Sequence, residues 1–127
     1  MDEQNERRNE PRKKLMAFTP VYDLHPRILL GYLGDLTLSG ALVIGSNLTT
    51  INKETVLEIN FPRDLADISP LIIPARIAWC HPDQKSHYFN IGIEFTEMTP
   101  VYEDLFQRIL ERYQFRHPLS GADVAQT

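Results

Sequence analysis

The sequence contains a single cysteine and no long hydrophobic run. Cys80 is the only cysteine among 127 residues, so the chain cannot form an internal disulfide, which fits a reducing compartment. No apolar stretch approaches the roughly 20 residues that a membrane helix needs. Residues 1–8 lack the hydrophobic segment of a secretory signal. These absences predict a cytoplasmic protein that does not insert into a membrane.

Positive charge is scarce overall but concentrated near the N-terminus. The chain has 13 Lys and Arg against 17 Asp and Glu, a formal net charge of −4. This balance argues against a general affinity for nucleic acid or for an acidic membrane. Five of the 13 basic residues nevertheless lie in residues 7–14. A local basic cluster on a mildly acidic chain suits a small anionic ligand better than a long polyanion.

Known catalytic and metal-binding patterns are also missing. The four histidines are scattered and, apart from the adjacent Cys80 and His81, none lies at metal-ligand spacing. There is no G-x-S-x-G, no phosphate-binding P-loop and no Ser/His/Asp signature, and no carboxylate pair stands out as an acid/base couple. We therefore predict a binding protein without enzymatic activity, metal or cofactor.

The hydrophobic pattern predicts one domain with three parts. Residues 1–14 are polar and are expected to form a flexible arm, residues 15–117 a barrel with its helix, and residues 118–127 a loose tail. Strands are predicted at 17–23, 27–38, 40–45, 55–61, 71–80 and 88–95, the last two joined by a hairpin. Short strands followed by one helix predict a mainly β fold, a six-stranded antiparallel β-barrel with a C-terminal α-helix.

The helical segment is predicted from its start signals and its period. Thr99 is a suitable N-cap, and Pro100 suits the first helical position. Apolar residues then recur at helical spacing: Leu105, Phe106, Ile109, Leu110 and Tyr113. The pair His117-Pro118 is expected to end the helix. We expect the apolar stripe to cover the barrel. Any apolar surface of the helix that stays uncovered could bind a protein partner or a second copy in a homodimer.

An RRxxxR cluster, formed by Arg7, Arg8 and Arg12, precedes the first predicted strand. A guanidinium group grips phosphate with two parallel N–H donors, reads the O6/N7 edge of guanine, or stacks on a purine face. Three such groups on a mobile arm are able to wrap an anionic ligand. Taken alone, however, the cluster is more simply a solvated basic tail.

A D-x-T-x-x-G motif, formed by Asp35, Thr37 and Gly40, follows about thirty residues later. In a strand Asp35 and Thr37 would share a face, where a carboxylate accepts from guanine N–H groups and a hydroxyl donates or accepts. Gly40 would let the backbone bend or a ligand approach. The alternative is a turn in which Asp and Thr bond local backbone. For this motif alone, both interpretations stay open.

With both motifs present, the chain resembles a PilZ domain, the bacterial receptor module for cyclic di-GMP, over about residues 6–115. That family pairs an RxxxR arm with a (D/N)xSxxG motif on a six-stranded β-barrel with a C-terminal helix. Residues 75–79 (ARIAW) and 90–95 (NIGIEF) resemble a strand pair of the family, and the latter segment is similar to its "G-(I/V)-x-F" strand. The resemblance implies nucleotide binding and second-messenger signalling to an unidentified protein partner.

The resemblance also implies roles for individual residues. Arg8 and Arg12 match the family's arginine pair, with Arg7 as the common preceding arginine, and would bind phosphates and guanine faces. Asp35 matches the position that reads a guanine edge.

Gly40 matches the family's glycine, whereas Thr37 stands where the family usually has Ser. Thr keeps the hydroxyl but adds a methyl group and stiffens χ1. This departure, with the acidic neighbours Glu6 and Glu10, supports an alternative: a PilZ-like interaction adaptor that does not need nucleotide. A nucleic-acid binder is a third hypothesis, which the acidic net charge opposes.

Overall fold

The computed structural model describes residues 13–14, 19–62 and 69–114. The predictions for residues 1–12 of the arm and for the tail at 118–127 lie outside these ranges. The strands are β1 (Lys13–Lys14), β2 (Pro20–Leu24), β3 (Arg27–Leu36), β4 (Gly40–Gly45), β5 (Glu54–Ile59), β6 (Leu71–Pro82), β7 (Phe89–Phe95) and β8 (Tyr113–Gln114). The helix α1 (Pro100–Arg112) lies between β7 and β8.

Six of these strands form a closed barrel in the order β2-β3-β4-β7-β6-β5, and β5 pairs back onto β2. All six neighbouring pairs are antiparallel. The predicted six-stranded antiparallel barrel is therefore confirmed, including the hairpin between β6 and β7. In this closed order β2 and β7 lie on opposite sides of the barrel.

Alternating side chains fill the barrel, as their period of two requires. Leu57 and Ile59 of β5, together with Phe61, belong to the buried core, as alternation along the strand predicted at 55–61 requires. Ile91 and Ile93 of β7 are fully buried in the same core. Gly92 and Glu94, which alternate with them on β7, consequently lie on the outer face of the sheet near the candidate site.

A buried ionic network links β2 to β5 and the segment before it. The carboxylate of Asp23, which is 1% exposed, accepts hydrogen bonds from Lys53 Nζ at 2.7 Å, from the hydroxyl of Thr55, and from the amide of His25 at 3.0 Å. Burial raises the pKa of Asp23, but these hydrogen bonds and the charge of Lys53 outweigh it, so the pKa lies below its usual value. The ionised carboxylate thus stabilises this side of the barrel.

Helix α1 starts as predicted. The amide of Tyr102 donates to the hydroxyl of Thr99 at 3.2 Å, so Thr99 is the N-cap ahead of Pro100. Phe106 and Ile109 are fully buried in the barrel core, and the ring of Phe106 lies 5.1 Å from that of Phe95. The helix therefore covers part of the core with its apolar stripe.

The end of the helix differs from the prediction. The helix stops at Arg112, and Tyr113–Gln114 instead form β8, which pairs in parallel with Lys13–Lys14 of β1. The predicted helical continuation is therefore wrong at Tyr113 and Gln114. Backbone pairing with a segment 100 residues earlier in the chain (Lys13 with Tyr113) replaces the helical hydrogen bonds, which a local periodicity cannot reveal.

Candidate ligand site

The D-x-T-x-x-G motif forms the tight connection between β3 and β4. The backbone amide of Thr37 donates to the carbonyl of Gly40 at 2.9 Å. In return, the hydroxyl of Thr37 accepts from the amide of Gly40 at 3.1 Å and from that of Ser39 at 3.2 Å. Local bonding of this kind agrees with the alternative in which the motif forms a turn. The hydroxyl of Thr37 therefore shapes the turn.

Asp35 lies near the end of β3, where it is 4% exposed and opposite Leu42 of β4. Its carboxylate accepts from the amide of Leu36 at 2.8 Å. Since β3 ends at Leu36, Thr37 lies beyond the strand, and the prediction that one strand carries Asp35 and Thr37 on one face is wrong. An irregular register between Leu33 and Asp35 also interrupts the simple alternation.

Gly40 is the first residue of β4 and is buried. It pairs with Glu94 of β7, and the amide of Phe95 donates to the carbonyl of Ser39 at 3.0 Å. The turn is thus attached to β7 as well as to its own two strands. A surface anchored on three strands offers a rigid platform for a ligand.

One row of outward-facing positions crosses the barrel from Asp35. The register pairs Asp35 with Leu42, Leu42 with Gly92, and Gly92 with Trp79. The indole of Trp79 lies directly on Gly92: a Cβ there would be 2.1 Å from Trp79 Cε2. Trp79 also stacks on His81, with ring centroids 5.0 Å apart. The row therefore ends in an aromatic surface.

The sequence placed Trp79 in the strand predicted at 71–80 and did not assign it to the site. Its half-buried place outside β7 has a sequence signal in Gly92, because glycine within a strand often marks a close approach of another group. Which group approaches depends on the pairing of β6 with β7, and a register irregularity between Ile77 and Trp79 makes that pairing hard to predict.

A second row crosses the same outer surface from Gly40. Gly40 pairs with Glu94, and Glu94 pairs with Arg76 of β6. The guanidinium of Arg76 donates from Nε to Glu94 Oε1 at 3.0 Å and from Nη2 to the same oxygen. Its Nη1 donates to the side-chain oxygen of Asn52 at 2.9 Å. No sequence motif pointed to this charged pair beside the turn.

The three predicted arginines of the site, Arg7, Arg8 and Arg12, lie outside the described residues. The structure therefore brings together Asp35, Thr37 and Gly40 and does not test the other half of the predicted site. The described residues begin at Lys13, directly after Arg12, where β1 lies beside β8.

The described ranges are 13–14, 19–62 and 69–114. Within them no group of three or more His, Cys, Asp and Glu side chains is placed to hold a metal ion. None of the helical segments there has the length and apolarity to cross a membrane.

Comparison with protein families gives a match over most of the chain. The model of the family described as PilZ domain matches residues 6–112, which cover most of the chain and include both motifs. Neither the comparison with curated proteins nor that with solved structures found a match.

Proposed function

Because this chain belongs to the PilZ domain family, whose members are binding domains and generally receptors for cyclic di-GMP, we propose that it is itself a cyclic di-GMP receptor. The observation that carries the proposal is the extent of the match. Residues 6–112 contain both the arginine cluster and the D-x-T-x-x-G motif, which a ligand with two phosphates and two guanines would need together. The rigid turn between β3 and β4 supports it.

Six residues make up the proposed binding site: Arg7, Arg8, Arg12, Asp35, Thr37 and Gly40. The arginines bind the phosphates and stack on the guanines. The carboxylate of Asp35 accepts from a guanine edge. Thr37 contributes through the turn, because its hydroxyl already accepts two backbone amides. Gly40, the buried first residue of β4, has no side chain that would separate the ligand from the β4 backbone.

The proposed receptor works by ordering its arm. Ligand that binds the arginines and the barrel at once favours conformations in which the arm lies against the turn. Since β1 follows Arg12 directly and pairs with β8 at the end of α1, ordering of the arm would also bias that end of the helix. An unidentified protein partner, or a second copy in a homodimer, would read the altered surface in the bacterial cytoplasm.

Calorimetric titration of the full chain with cyclic di-GMP tests the proposal. We expect binding by the wild type and a loss of most affinity in Arg12→Ala and in Asp35→Ala, about 1.5–3 kcal/mol for each charge-assisted contact. Arg27→Ala is a control, because Arg27 lies at the opposite end of β3 from Asp35 and pairs with Glu58 of β5. It should leave the affinity unchanged.

Absence of binding by a well-folded wild type at modest salt would contradict the receptor and favour the nucleotide-independent adaptor. The adaptor also predicts full partner binding by an Arg8→Ala/Arg12→Ala double variant. Loss of partner binding in that double variant would speak against the adaptor.

A further inference from the structure

A carboxylate stands beside the position where the proposed ligand would bind. Glu94 is the cross-strand neighbour of Gly40, and directly opposed residues have Cβ positions about 4.5–5.5 Å apart. The side chain of Glu94 is 39% exposed. Because Gly40 has no side chain between them, a negative charge on Glu94 lies about one cross-strand spacing from the turn at which the ligand is proposed to bind. That charge would repel an anionic ligand.

Arg76 stands on the opposite side of Glu94 from Gly40. Strand β7 lies between β4 and β6, so the ion pair draws the carboxylate toward β6 and away from the turn. Two N–H groups of Arg76 converge on one oxygen of Glu94. The third hydrogen bond, to Asn52, fixes the guanidinium from the β5 side of the barrel. The guanidinium of Arg76 is therefore held in one orientation, with two of its donors bound to this carboxylate.

We propose that Arg76 is a positioning residue for anion binding: it neutralises Glu94 and keeps its carboxylate turned away from Gly40. The inference rests on the proposed function, since it concerns the affinity of the same site for a phosphate-bearing ligand. It differs from a direct role, in which Arg76 itself would contact phosphate, and from a merely structural role, in which the pair would only support the barrel.

Three variants of the full chain separate these roles: Arg76→Gln, Glu94→Gln and the double variant. Each is titrated with cyclic di-GMP at low and at high salt. We expect Arg76→Gln to bind roughly threefold to tenfold more weakly at low salt, with a smaller deficit at high salt because salt screens the unpaired carboxylate. Glu94→Gln should bind as well as the wild type or more tightly. The double variant should regain wild-type affinity.

Arg27→Gln provides the control, because Arg27 also forms an ion pair, with Glu58 of β5, but at the opposite end of β3 from Asp35. It should not change the affinity at either salt concentration. Thermal unfolding of every variant identifies any that does not fold. Should Arg76→Gln not fold, weakened binding by Glu94→Gln would overturn the proposal, and unchanged or tighter binding would support it.

The other outcomes are decisive as well. A double variant that binds as weakly as Arg76→Gln would mean that Arg76 contacts the ligand or supports the fold, and the inference would be wrong. Unchanged binding by Arg76→Gln would overturn the proposed role of Arg76 and leave the proposed receptor function intact. A folded wild type that does not bind cyclic di-GMP would overturn the proposed function and this inference together.

Discussion

Thr37 and Gly40 hold each other by reciprocal hydrogen bonds. The amide of Thr37 donates to the carbonyl of Gly40 at 2.9 Å, and the amide of Gly40 donates to the hydroxyl of Thr37 at 3.1 Å. The two ends of the D-x-T-x-x-G turn are therefore joined through a hydroxyl group that serine also possesses. The methyl group that distinguishes threonine takes no part in these bonds.

Replacement of the hydroxyl should loosen the turn. In Thr37→Val the amides of Ser39 and Gly40 lose their acceptor, and we expect a loss of about 1–2 kcal/mol in the free energy of unfolding, measured with urea. Thr37→Ser keeps the acceptor and should stay within about 0.5 kcal/mol of the wild type. Equal stability of the two variants would show that the hydroxyl does not support the turn.

Gly92 leaves room for the indole of Trp79. In Gly92→Ala the new methyl group would meet the ring at 2.1 Å, so we expect Trp79 to leave its place on β7 at a cost of about 1–3 kcal/mol. Trp79 is the only tryptophan, so its fluorescence emission reports the displacement. Gly34→Ala is the control: the nearest atoms to its Cβ would be side-chain atoms of Ile44 and Leu42, at 3.0 Å or more. Unchanged emission in Gly92→Ala would contradict the packing.

Acid should remove the contribution of Asp23 to stability. Its pKa in the folded protein is below the value of about 3.9 expected in the unfolded chain, so its stabilisation is fully present above that value. The stabilisation is lost as the pH falls through the folded pKa. We expect Asp23→Asn to be about 1–3 kcal/mol less stable at pH 7. The difference should shrink as unfolding is measured at successively lower pH below about 4.

Glu58→Gln serves as the comparison for this measurement. Hydrogen bonds from Asn60 and Arg27 hold the pKa of Glu58 below its usual value, but the carboxylate is near the surface, where such pairs contribute little. A difference between wild type and Asp23→Asn that stayed constant down to about pH 2 would rule out the ionised network.

Thr19 offers a stabilising substitution. Its side chain is fully buried, and among residues 13–14, 19–62 and 69–114 its hydroxyl oxygen finds no hydrogen-bond partner, which costs free energy. Thr19→Val keeps the shape and removes the polar group, so the free energy of unfolding should rise by about 1 kcal/mol. Thr55→Val is the matched control and should be destabilising, because the hydroxyl of Thr55 donates to Asp23. A destabilised Thr19→Val would mean that its hydroxyl is satisfied.

The barrel could be predicted because its signals are local. Alternation at Leu57, Ile59 and Phe61 and the start signal at Thr99 and Pro100 depend on neighbouring residues only. Interactions between distant segments were missed. The pairing of β1 with β8, 100 residues apart, ended the helix early. The irregular register between β3 and β4 is a separate, local departure from strict alternation that the predicted strand pattern did not include.

The site was predictable in part for the same reason. Asp35, Thr37 and Gly40 were found because one short motif contains them. Their hydrogen bonds to local backbone correspond to the turn that the sequence left as an alternative. Arg76, Glu94 and Trp79 lie 36 or more residues from the motif in sequence (Arg76 against Gly40) and meet it only through strand order.

The closed order of the barrel limits how another protein could join it by backbone pairing. Every strand from β2 to β7 has hydrogen-bonded neighbours on both sides. In the described part of the chain, unpaired strand edges occur only on β1 and β8. A partner that adds a strand of its own would therefore dock where the arm meets the end of the helix, and its binding would be sensitive to any change in either.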